Sequence, residues 1–118
     1  IRTRDLRSKT GRLLTMPRPI VCNLGALSPQ QRTREQELLA EFRSSRPKAQ
    51  PIEHGYRFEV PSDPASLARL GEFLGLERLC CPFLNFSVGV RSGGGAVTLD
   101  VYGDEPDAQA FLRETFVQ

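Results

Sequence analysis

The sequence predicts an α+β domain: one two-layer unit in the order β-α-β-α-β-β-α, with a single mixed or antiparallel sheet and helices mainly on one face. Three observations carry this. Two short segments alternate apolar and polar residues on either side of a glycine run. Three other stretches space their apolar residues as helices do, and each begins at a proline. The length, 118 residues, suits one domain able to bury a core without metal or disulfide staples.

Ile20–Leu24 reads as a short apolar strand that places Cys22 in the core. A helix start follows, with Ser28 as cap, Pro29 at the first helical position and Gln31 three residues after the cap. That helix is expected to run to about Ser45, before Pro47, with Leu38, Leu39 and Phe42 as its apolar side and Gln30 to Gln36 solvated. Tyr56, Phe58 and Val60 alternate as one face of the next strand. Asp63 then caps a second helix begun by Pro64 and ended by Pro82. Its stripe is Leu67, Leu70, Leu74 and Cys81, flanked by Phe73, Leu76 and Cys80. Phe86, Val88 and Val90 in one strand, and Val97, Leu99 and Val101 in the next, form a hairpin joined through Gly93-Gly94-Gly95. A last helix starts at Asp104-Glu105-Pro106-Asp107 and presents Ala108, Phe111, Leu112 and Phe116.

Composition narrows the class. Hydrophobic residues make up 39% and charged residues 25%, ordinary proportions for a globular protein. No apolar run approaches the roughly 20 residues of a membrane span. Residues 1 to 18 carry six basic side chains against Asp5, while the rest carry ten basic and thirteen acidic ones. Residues 1–17 are therefore read as a basic leader, disordered or vector-derived ahead of a native start at Met16, and 18–118 as the domain. Nucleic acid is unexpected as a partner except through that leader, which lacks aromatic residues for stacking on bases. The basic start has no secretory core, so a cytoplasmic location with reduced thiols is expected, and an odd count of three cysteines argues against a disulfide framework. An uncovered sheet face or edge would favour a homodimer.

The chemistry concentrates in Glu77-Arg78-Leu79-Cys80-Cys81-Pro82-Phe83. On a helix, Glu77 lies three and four residues before the two thiols and shares their patch. Glu77 also points a charge into the apolar stripe, a conflict of the kind found at functional sites. The run from Leu76 to Phe86, with the glycine-broken hairpin, the closing helix and the upstream Ile20–Leu24 and Ser28-Pro29 segments, resembles a family of small bacterial proteins sharing Glu-x-x-Cys-Cys-Pro-Phe. The resemblance implies one domain and a bacterial source; it implies no reaction and transfers no catalytic residue.

Three readings compete for the thiols. In the first, Cys80, Cys81, Cys22 and Glu77 hold Zn²⁺ or another thiophilic metal or metalloid ion, with His54 as a further possible ligand. Adjacent cysteines without a Cys-x-x-Cys spacing weigh against an ordinary zinc finger. In the second, the cysteines are structural fillers of a homodimeric interaction module without catalysis. The third, a thiol-dependent enzyme, is the least favoured, because a helix carboxyl terminus and Glu77 both oppose a thiolate. A strained Cys80–Cys81 disulfide is also geometrically possible.

Overall fold

The computed structural model describes residues 22–117. After a 3-10 turn at Leu24–Ala26, the elements are α1 (Pro29–Ser44), β1 (Lys48–Ile52), β2 (Gly55–Val60), α2 (Pro64–Cys80), β3 (Asn85–Gly89), β4 (Val97–Tyr102) and α3 (Asp107–Phe116). The expected α+β class holds, with one four-stranded sheet, all of it antiparallel, in the order β1-β2-β4-β3.

Register follows the alternation. Tyr56, Phe58 and Val60 lie opposite Val101, Leu99 and Val97, and Phe86 and Val88 lie opposite Val101 and Leu99. One face of the sheet is therefore apolar from end to end. α3 packs on it over β2 and β4, and α1 joins α2 to α3. Leu112 and Phe116 of α3 meet Phe58, Leu99 and Val101 in a core where all five are essentially inaccessible. Phe42 sits edge-on to Phe58 at 5.2 Å and stacks on Phe73 at 5.9 Å, tying α1 and α2 to the sheet. The opposite face is polar. Arg57 makes a two-pronged pair with its cross-strand partner Asp100, both bonds 2.8 Å. That pair raises the Arg57 pKa and holds the Asp100 carboxyl below its ordinary range.

Several expectations change. Of the expected strand Ile20–Leu24, Ile20 and Val21 lie outside the described residues, as does the leader. Cys22 and Asn23 are in no regular element, and Leu24 opens the 3-10 turn. Strand β1 was not foreseen, because Pro51 within it reads as a breaker. It is an edge strand, where a missing N–H is tolerated. The β1–β2 turn puts His54 at φ 60°, and the following Gly55 has no room for a side chain, since a Cβ there would run into the Val101 carbonyl. Gly93, Gly94 and Gly95 all take positive φ, as expected of the connection.

Val88 and Val90 do not point into a core: they are 41% and 65% exposed, because β3 is the other edge and the helices cover β2 and β4. In α2 the centre of the buried face is Phe73, Leu76, Glu77 and Cys80, while Leu67, Leu70 and Leu74 are only partly covered. The helix sits rotated towards the residues that flank the predicted stripe. Glu35, in the half of α1 expected to be solvated, is buried.

Candidate functional site

The site forms where α2 stops. Asp63 accepts from the Ser66 N–H and starts the helix, which runs seventeen residues to Cys80. Pro82 excludes helical geometry from the residue before it, and Cys81 accordingly leaves the helix at φ −123°, ψ 69°. Its N–H still donates to the Glu77 carbonyl at 2.7 Å, so Cys81 keeps its place one turn above Glu77. The i, i+3 and i+4 positions then share one face. Cys81 Sγ is 3.5 Å from Glu77 Oε1, Cys80 Sγ is 3.9 Å from Glu77 Oε2, and the two sulfurs are 3.7 Å apart.

Cys22 arrives from the other end of the domain. The Asn23 N–H donates to the Cys80 carbonyl at 2.6 Å, fastening the segment before α1 to the last turn of α2. Cys22 and Cys81 lie at disulfide distance with Cα atoms 4.7 Å apart, which leaves Cys80 as the free thiol. Neither the expected fully reduced set nor a Cys80–Cys81 bond is what the structure contains. Ligating atoms of Cys22, Glu77, Cys80 and Cys81 all fall within 4.8 Å of one another. The four residues singled out from the sequence are thus brought together. His54 is not among them: it occupies the β1–β2 turn, where its carbonyl accepts from the Gly103 N–H at 3.1 Å.

A fifth group was missed. Arg34–Glu72 at 2.8 Å and Glu41–Arg69 at 3.3 Å set α1 antiparallel to α2, so the first turns of α1 meet the last turns of α2. There Glu35 hydrogen-bonds to Glu77, with 4% of its surface exposed against 1% for Glu77. Its spacing held the signal: Glu35, Leu38 and Phe42 are three and seven apart, one helical face.

Burial governs the electrostatics. It pushes the Glu77 carboxyl up to about 9, reinforced by the hydrogen bond and the charge of Glu35. It pushes the Cys80 thiol up to about 12, with the charges of Glu77 and Glu35 adding to it. At neutral pH Cys80 is a protonated thiol and a poor nucleophile. The arrangement is instead a compact set of soft and hard donors. Adjacent cysteines do converge here: a tetrahedral ion with metal–sulfur bonds of about 2.3 Å spaces its sulfurs by about 3.8 Å, close to the 3.7 Å between Cys80 and Cys81.

Access is narrow. Cys80 and Cys81 are fully buried, and Cys22 is the half-covered member. A hollow of about 610 Å³ beside β3 is lined by Arg78 and Pro82, which flank the two cysteines, but not by the cysteines themselves. An apolar groove of about 230 Å³ between α1 and α2, lined by Leu38, Phe42 and Leu70, contains none of the five residues. Comparison with protein-family models, curated proteins and solved structures finds no match to this chain.

Proposed function

We propose that this domain binds one thiophilic metal or metalloid ion through Cys22, Cys80 and Cys81, with Glu77 beside them. One observation carries the reading: donor atoms from two distant parts of the chain, residues 22 and 77–81, converge within 4.8 Å. Interior filling alone needs no such convergence of three sulfurs and a carboxyl, since a buried acid is costly unless it has a use or a partner. The Cys22–Cys81 bond is the oxidised, closed form of the same set, and ion uptake requires its reduction. Zn²⁺ fits the sulfur spacing and is the natural first probe.

A second reading has its own support. The Cys22–Cys81 pair, with Cys81 buried just past the end of α2 and Cys22 half-covered, suits a structural cross-link in a non-catalytic interaction module. The exposed Val88 on edge strand β3 and Val90 just past its end favour a homodimer in either reading. The resemblance to small bacterial proteins with Glu-x-x-Cys-Cys-Pro-Phe belongs here as well, together with a cytoplasmic setting. No described helix is long and apolar enough to cross a membrane. Catalysis is disfavoured by the suppressed Cys80 thiol.

Native mass spectrometry of reduced protein with Zn²⁺, Cu⁺, Hg²⁺ or arsenite separates the two readings and reports the dimer in the same spectra. Stoichiometric uptake, lost in Cys80→Ser/Cys81→Ser, is the expected result. An unchanged mass with every ion leaves the structural cross-link.

A further inference from the structure

We infer that the ligand class of this site is a trivalent metalloid oxyacid of the arsenite or antimonite type, held by all three sulfurs as a neutral tris-thiolate. The inference rests on the ion-binding reading above and deepens it.

Charge decides between ions. Cys80 and Cys81 have no accessible surface, and Glu77 and Glu35 have 1% and 4%. Net charge in such a place is costly unless paired. The described arginines nearest in sequence to the two acids are turned away. Arg34 binds Glu72 and Glu37, and Arg78 is exposed. Among the described residues, no basic group contributes to the shifts of Glu77 or Cys80. Three thiolates bring a charge of −3. A monovalent ion would leave two uncompensated negative charges on them and a divalent ion one. A trivalent centre leaves none. Whatever charge the two carboxyls carry is common to all three cases.

The donor count agrees. The chain has three cysteines, and all three reach the site. A two-coordinate ion would leave one sulfur idle. A four-sulfur site cannot be made. Trigonal As(III) or Sb(III) uses three sulfurs and leaves its remaining side to a lone pair, so the centre needs no bond from Glu77, which lies beside the sulfurs.

The step balances without an oxidant. Each cysteine S–H is replaced by an S–As bond, one As–O bond breaks, and the thiol proton joins the departing hydroxyl as water. Three such exchanges convert As(OH)₃ and three thiols into As(S-Cys)₃ and three waters, with arsenic remaining trivalent. Beforehand a dithiol reductant opens Cys22–Cys81: the S–S bond breaks, both sulfurs gain protons, and the dithiol closes to its own disulfide.

The test uses the full chain, reduced with dithiothreitol, freed of it anaerobically, and mixed with arsenite, Zn²⁺ or Cd²⁺ singly and in equimolar competition. The expected native mass is protein plus one arsenic less three hydrogens, and this species dominates the competition. Glu77→Gln retains it, whereas Cys22→Ser, checked for folding by circular dichroism, shifts to a two-sulfur adduct that still bears a hydroxyl and binds more weakly. A wild-type adduct held by only two sulfurs, loss of arsenite binding in a folded Glu77→Gln, unchanged arsenite affinity in Cys22→Ser, or Zn²⁺ or Cd²⁺ prevailing in competition would each overturn the inference. Uptake of Zn²⁺ or Cd²⁺ without arsenite sinks this inference and leaves ion binding standing. If no ion adds at all, ion binding fails too.

Discussion

Two buried glutamates distinguish this protein from an ordinary α+β core. Glu77 was legible because its position on α2 conflicts with the apolar pattern around it. Glu35 was not, because the polar residues about it in Gln30–Gln36 made the whole half-helix look solvated, and only packing against α2 turned it inward. The pair has a consequence for stability. In the folded chain Glu77 keeps its proton to about pH 9, while in the unfolded chain it loses it near 4.5. Between those values the folded state binds the extra proton, so this contribution is intact below pH 4.5 and is lost progressively as pH rises towards 9. Cys80, raised in the same direction, extends the loss to more alkaline pH. In thermal melts of the ion-free protein, stability should fall more steeply from pH 5 to 9 in the wild type than in Glu77→Gln. Parallel curves would show that the carboxyl is not held neutral.

Helix ends were the most readable elements. Ser28 and Gln31 form a reciprocal cap, with the Gln31 N–H bonding Ser28 Oγ at 3.1 Å and the Ser28 N–H bonding Gln31 Oε1 at 2.9 Å. Ser28→Ala should cost about 1 kcal/mol by denaturant titration, and because α1 carries Glu35, it should also loosen the carboxyl pair. A shift within error would mean that packing of α1 against α2 alone fixes its first turn. Asp63 and Pro82 likewise announced both ends of α2, and with them the position of the two cysteines. Strand β1 stayed hidden because its evidence lies in its partner: Pro51 is acceptable only once β2 is known to pair on one side and solvent lies on the other. Cys22 was assigned to a strand for its apolar neighbours, and nothing local reveals that the Asn23 N–H is bound by the end of a helix some sixty residues away.

The domain as a whole is a sheet with one dry face, and its alternation made that architecture readable in advance. What alternation cannot give is how far the helical layer extends, which is why Val88 and Val90 were expected inside and are exposed. The long-range link between Cys22 and Cys81 spans 59 residues. For a closure of that span the chain-entropy model assigns roughly 4 kcal/mol. Adding a phosphine reductant to ion-free protein should therefore lower the unfolding free energy by about that amount, and overlapping denaturation curves with and without reductant would contradict it.

The closed loop also has a bearing on biosynthesis. It encircles α1, the first hairpin and α2, yet the sheet's interior strand β4 lies downstream of it and must slot in beside β2. Both sulfurs emerge during translation before that strand exists, so a nascent chain oxidised early would carry a finished covalent lasso around an unfinished sheet. Until β4 is made, the bare flank of β2 would be open to neighbouring chains, and a cell making this protein gains by keeping the thiols apart until synthesis is complete.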